Sequence, residues 1–467
     1  MALGTLRCIA DRGNDVTVGV AGCTHGVRRV VVPLLLLTAC GFPRPRDVGD
    51  DVPGDSGTTI DPASIIHVSP SGDDVNDGFT SPVKTIQHAI VIAAGNSKVA
   101  QIALAPGSYS ASSGEAFPYV VPPNVTLIGP IGGSAVLSGG KTSRAFTIDT
   151  GGVQDLDLQD FTTAIIATGA AHVKNVKIET SALAIQAETT AVLTIDNLTV
   201  SGTLGACGAG IVLNGHAALG ANTLETHNLL TTLDMRDQSS ADVSNATVSG
   251  DLNCSGNGEM IDVTSTASFR LSDSVLDGGK GGIGITPKSP TFQAVLTNTH
   301  IRNMRDGALA GGFGGASASF QMIGGELSNT NSTAVQIGPG VWTFTGVTFK
   351  QNKDVGIYLQ DGTLVMRSCT VIGNGLGIDV FVDSTADLGT ADSPGNNVFQ
   401  NNGVSIAVES NIGVNGISVQ AVGNIWNPSV QNADENGKYA TVATITGPVA
   451  APANGNYSVN DGCKLLR

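Results

Sequence analysis

The chain is poor in the residue types that most often carry recognition and catalysis: aromatics make up 4% of its 467 residues and charged side chains 13%. So few aromatics leave no material for long subsites that stack sugar rings. Trp342 and Trp426 are the exceptions, and Trp342 alternates with Phe344 in a strand-like segment, which suits the core. No Gly-His-Gly triplet, phosphate-binding glycine loop or Cys-x-x-Cys metal knuckle occurs. The formal net charge of −15 leaves no basic surface for nucleic acid, and none for electrostatic docking on anionic lipid. A helical apolar period is missing as well, which removes helical repeats from consideration.

What is there is a repeat. A short polar or glycine residue is followed three places later by a large apolar one at Asp155, Asn175, Asn197, Asn245, Asp273, Asn298, Gly324, Gly346 and Ser368. The steps run from 20 to 28 residues, apart from one of 48 between Asn197 and Asn245, which reads as two turns with an irregular coil between them. A second column of apolar strands recurs at Ile165, Ile185, Ile211, Leu233, Ile261, Ile283, Leu309, Val335, Ile357, Ile378 and Ile406. Coils of about 24 residues, each with two or three short strands and Gly or Asn at the bends, predict an all-β fold: a single-stranded right-handed parallel β-helix of about a dozen coils. At a strand spacing of about 4.8 Å, the coils stack to a length on the order of 60 Å.

The expected division is 1–39, an upstream extension and signal peptide with Val27 as an alternative start; 40–62, a disordered tether; 63–124, an N-terminal cap with a short helix; 125–425, the repeat; and 426–467, a C-terminal cap and tail. Arg28-Arg29, the short apolar run over residues 30–37 and Leu37-Thr38-Ala39-Cys40 resemble a bacterial lipoprotein signal. That resemblance implies lipidation at Cys40, export and an outer-membrane lipoprotein on the periplasmic side or the cell surface. In an oxidising compartment Cys207 and Cys254 are disulfide candidates. Cys369 follows Ser368 in an inward register and belongs to the core.

Residues 67–89, with Ser69-Pro70-Ser71-Gly72 and Ser81-Pro82-Val83-Lys84-Thr85-Ile86, and the later segments 102–109 and 127–129, resemble the N-terminal cap of bacterial right-handed parallel β-helix repeat proteins of the pectate-lyase-like superfamily. Members with this cap carry a domain of unknown function there, so the resemblance implies fold and no activity. Within it, residues 82–94 have the spacing of a short amphipathic helix able to plug the first coil. Asp73, Asp74, Asn76 and Asp77 crowd four oxygen-bearing side chains together. Such a set suits either a calcium ion (Ca2+), the one cofactor the sequence suggests, or an Asx-rich turn.

Two outward patches are candidates for chemistry. Asp155 and Asp157 read as one strand face with Asn175 and Lys177 one rung on, a metal-plus-base arrangement for β-elimination or a solvated face. His300 stacks beside Glu326, with Arg302, Arg305 and Asp306 nearby and Lys350, Lys353 and Asp354 two rungs on, a basic cluster or scattered surface ion pairs. The expected function is a non-catalytic, membrane-tethered surface protein, a monomer acting as adhesin, envelope scaffold or glycan binder. The alternative is a polysaccharide lyase or glycoside hydrolase acting on an acidic polysaccharide. An enzyme requires three or more titratable groups on adjacent rungs.

Overall fold

The αL bends set the architecture. In the computed structural model, every member of the polar column from Asp155 to Ser368 has φ between +49° and +65°. Asn, Asp and Gly tolerate that region at little cost, so the chain turns the same way once per coil. The 48-residue gap closes on Thr223, at φ 60° and in register with Asn197 and Asn245. Its follower is Thr226, fully buried, whose hydroxyl bonds that of Thr232 at 2.9 Å. A β-branched residue at the bend and a hydroxyl in the core hid this coil from the sequence pattern.

The structure describes residues 61–427, apart from 142, 204–205, 251–257, 267, 280, 290, 312–317, 382–383 and 409–417, together with Tyr457–Val459. Strands in successive coils pair in parallel and form three ladders. The first starts at Ile65–Val68 and Gln101–Leu104, continues through Val125–Ile128 and Gly151–Gln154, and reaches Ser418–Gln420. The parallel stack therefore begins inside residues 63–124. The second ladder follows the αL bends, and the third carries the isoleucine column. There Ile261 pairs with Ile285 rather than Ile283, which stands opposite Glu259. The expected column was one pleat off at that rung: Ile285 is buried and Ile283 is half-buried.

The interior is filled by Val, Ile, Leu and Ala, with large rings grouped in two places. Phe320 and Trp342 stack at 4.7 Å beside Phe344, so Trp342 is core. Cys369 is buried too, and burial pushes its thiol up to about 11.

At the start of the stack, the helix is Ile86–Ala94, capped by the Thr85 hydroxyl, and buries Ile86, Ala89, Ile90 and Ala93. It starts later than residue 82 because Val83 forms a parallel bridge with Val68. Both Glu115 oxygens accept from the Ile86 N–H at 3.1 Å, and the Tyr119 hydroxyl donates to the same carboxyl. A carboxylate suits the positive end of a helix, yet burial pushes Glu115 above its ordinary value.

Candidate functional site

The αL bend ends one strand and starts the next, so Asp155 and Asp157 do not share a strand face. Asp155 sits at the bend, where its carboxylate accepts from Asn175 at 2.9 Å and Gln154 at 2.8 Å. Its role is the corner ladder. The second ladder opens at Asp157, which pairs in register with Lys177, and Lys177 with Thr199. The Ser134 hydroxyl donates to Asp157. A surface recess of about 200 Å³ lies here, lined by Asp157, Gln159, Lys177, Glu179, Thr199 and Ser201 along with apolar neighbours.

Farther along the same face, the Ser249 hydroxyl lies 2.8 Å from His227 Nδ1, and His227 Nε2 lies 2.9 Å from Glu225 Oε1. Parallel pairing produces this set: Glu225 stands opposite Thr247 and His227 opposite Ser249 on adjacent rungs. Beyond it, His300 and Glu326 also occupy adjacent rungs, with no hydrogen bond between them among the described residues. Arg302 bonds Asp277 at 2.9 Å and Arg305 bonds Asp306 at 2.8 Å, so the basic patch is neutralised by its own acids. Hydrogen bonds from Asn303, Gly279 and Arg302 outweigh burial and hold Asp277 below the usual carboxylate range. The Asp157–Lys177 and His300–Glu326 pairs stay about five rungs apart, on the order of 24 Å.

The outward face of the third ladder holds a cluster absent from the sequence expectations. Asp234 pairs in register with Asp262, one residue set above the other, and Glu259 lies on the strand of Asp262. Lys288 bonds Asp262 at 2.8 Å and also Glu259, while Arg236 bonds Asp234. Burial pushes the Glu259 carboxyl up; the Asp262 charge and a hydrogen bond between the two carboxyls push the same way, against Lys288. The buried Asp262 Oδ1 has no donor of its own, which fits one proton held between the two acids. For Lys288, burial pulls the ammonium down, but its bonds to Asp262 and Glu259 prevail and hold it protonated.

This cluster escaped the alternation rule for a local reason. Strands Thr231–Met235 and Glu259–Val263 bend so that two successive residues face inward, and carboxylates three apart then share the outer face. Acids flanking two apolar residues in consecutive coils were the available signal.

The acidic run near the cap turns its oxygens onto backbone. Asp73 accepts from Val75, and Asp77 from Phe79, Thr80 and Thr80 Oγ1. Asp74 accepts from Lys84, Thr85 and the Thr85 hydroxyl, and the Asn76 amide donates to Pro82. These are Asx-turn bonds. Among the described residues, no group of three or more His, Cys, Asp or Glu is arranged to hold a metal ion. Cys207 is disulfide-bonded; Cys254 lies outside the described residues, as do Cys40, residues 1–39 and the tether. Among the described residues no helix is long and apolar enough to cross a membrane.

A family model described as a protein of unknown function (DUF1565) matches residues 70–431. The chain belongs to the DUF1565 family. The match covers most of the ladder-forming region of this DUF1565 chain. No curated protein matches the sequence. Among solved structures, it is similar to the catalytic domain of a GH87 alpha-1,3-glucanase in complex with nigerose: 13% identity, TM-score 0.41, covering 78% of this chain and 69% of that one. It is also similar to the periplasmic alginate epimerase AlgG, at 12% identity and TM-score 0.40, covering 70% of this chain and 83% of that one. At these identities the likeness concerns the β-helix fold.

Proposed function

We propose that the protein is an exported, membrane-tethered β-helix that binds an extended, uncharged glycan along the outward face of its second ladder, serving as adhesin or envelope scaffold. The observation that carries this reading is the recess between Asp157 and Ser201, where carboxylate, amide, ammonium and hydroxyl groups recur rung after rung. At about 200 Å³ it is smaller than the roughly 300 Å³ and above of a pocket that swallows a small ligand, which suits one subsite of a polymer lying across it. A chain of net charge −15 repels a polyuronate, so an uncharged polymer fits better than an acidic one. Affinity electrophoresis of the full chain in gels containing neutral or acidic polysaccharides tests this. Retardation by a neutral polymer that weakens about tenfold in Lys177→Glu supports it; equal mobility in every gel sinks it. Cys40→Ser is expected to move the exported protein from the membrane to the soluble fraction, because an acyl chain is the apolar anchor.

A second reading, acid-catalysed cleavage of the glycan, is favoured by the Glu259–Asp262 pair: a carboxyl whose proton is retained by burial and a neighbouring acid is a general-acid candidate. β-Elimination fits less well, since Lys288 is a paired cation and not a free base. New reducing ends that disappear in Glu259→Gln, with glycan binding retained, would establish it. Release unchanged in that variant rejects it.

A further inference from the structure

A nucleophile, a base and an orienting carboxylate meet on the second ladder, on residues no part of the glycan-binding reading requires. The Ser249 hydroxyl is 2.8 Å from His227 Nδ1, and His227 Nε2 is 2.9 Å from Glu225 Oε1. Each link is within the range of a working nucleophile–base pair and base–orienter pair. The order along the face is fixed by backbone register: Glu225 and His227 are alternate outward residues of one strand, and Ser249 is the residue facing His227 on the next. With Glu225 accepting from Nε2–H, the lone pair of the neutral imidazole lies on Nδ1, facing Ser249. The Ser249 hydroxyl also lies 3.2 Å from the Thr226 carbonyl, which keeps it on the outer face beside the ring.

The surroundings suit an accessible ester. His227 and Glu225 keep 37% and 50% of their side chains exposed, so a bulky substrate can reach them. Thr247 flanks Ser249 on the same strand, and Arg302, two rungs along, reaches back to Asp277, which faces Ser249. Both supply donors near the point where a carbonyl oxygen gains charge.

We propose that Ser249, His227 and Glu225 form an acyl-transfer site that removes O-acyl groups from a glycan held along this face; the glycan as alcohol component rests on the binding reading above. Ser249 Oγ bonds to the ester carbonyl carbon as its proton passes to His227 Nδ1. Collapse of the adduct breaks the carbon–oxygen bond to the sugar, whose alkoxide takes the proton from His227. Water then attacks the acyl-serine with His227 again as base, and the carboxylic acid leaves with the Ser249 hydroxyl restored. No metal, redox partner or cofactor enters. Glu225 is a positioning residue, acting through the ring.

The test uses the full chain with a fluorophosphonate probe, p-nitrophenyl acetate and acetylated xylan. The expected result is one phosphonylated peptide containing Ser249, and p-nitrophenol and acetate release that fall about a hundredfold or more in Ser249→Ala and His227→Ala. Glu225→Gln is expected to lower kcat with an altered pH profile, and Glu225→Asp to recover part of it, a pattern a merely structural role would not produce. Absence of label on Ser249, or release that persists in both Ser249→Ala and His227→Ala, overturns the proposal. Gel retardation of Ser249→Ala by unacetylated xylan is read separately, so loss of esterase activity and loss of glycan binding are distinguished.

Discussion

Between Asp155 and Asn298 the amide ladder faces solvent, whereas between Thr330 and Asn424 two asparagine ladders run inside the solenoid. In the outer set, Asn175 donates to Asp155, Asn197 to Asn175, Asn245 to Asn222 and Asn298 to Asp273, all at 2.9–3.0 Å on exposed residues. In the inner set, Asn352 donates through both its backbone N–H and its side chain to Asn374 Oδ1, and Asn374 does the same to Asn402. Asn397 repeats the pattern onto Asn424. The chemistry is shared and the energetics are not. An exposed amide exchanges one partner for water, while a buried one leaves its neighbours without any. The outer ladder mainly selects residues that accept φ near +55°; the inner ladder closes the hydrogen bonds of a corner that water cannot reach.

The largest expected effect that separates the two is Asn374→Ala. It strips the acceptor from the Asn352 backbone and side chain and the donor from the Phe349 carbonyl, so a loss of about 3 kcal/mol is expected in urea unfolding. A loss under about 1 kcal/mol would erase the distinction. Asn197→Ala on the outer ladder should cost about 1–2 kcal/mol, mostly backbone strain at φ 61°, and Asn197→Gly should recover most of it. Equal losses in Ala and Gly would assign the cost to the amide bond instead. Thr223→Asn, at the one β-branched bend of the column, is expected to stabilise by about 0.5–1 kcal/mol through relief at φ 60°.

The smallest effects are pH-dependent and sit at the first coil, where two acids face one helix start. Hydrogen bonds from Thr85 and Lys84 outweigh burial and hold Asp74 below the usual carboxylate range. Its contribution is present above its unfolded pKa and is lost as pH falls through the lower folded value. Glu115 is raised by burial, so its contribution is present below its unfolded pKa and is lost as pH rises through the higher folded value. Urea midpoints measured from pH 3 to pH 8 should therefore rise relative to wild type at the upper end for Glu115→Gln, and Asp74→Asn should flatten the acid limb. Parallel curves for both variants would show that neither carboxyl couples to folding.

Much of the fold was legible because a solenoid writes its period into the chain. Asn175, Asn197 and Asn298 announce bends through the αL preference of asparagine, and Ile185, Ile357 and Ile378 announce inward pleats through alternation. The recess was half legible: Asp157 and Lys177 were paired by counting 20 residues, but Asp155 was put on the wrong side of a bend. The third-ladder acids were not legible, because a strand bend replaces the two-residue period there. Nor were the inner asparagines, since an Asn in the sequence does not say which way its corner turns.

The amino-acid order alone determined coil length, the inward stack and the αL corners, because each is set by local backbone sterics and by side chains one coil apart. Only the tertiary structure decided which polar groups meet: Glu225 with His227 and Ser249, and Glu259 with Asp262 and Lys288. Those meetings depend on coil lengths of 22 to 29 residues landing in one register, a sum over every bend between them that no local pattern contains.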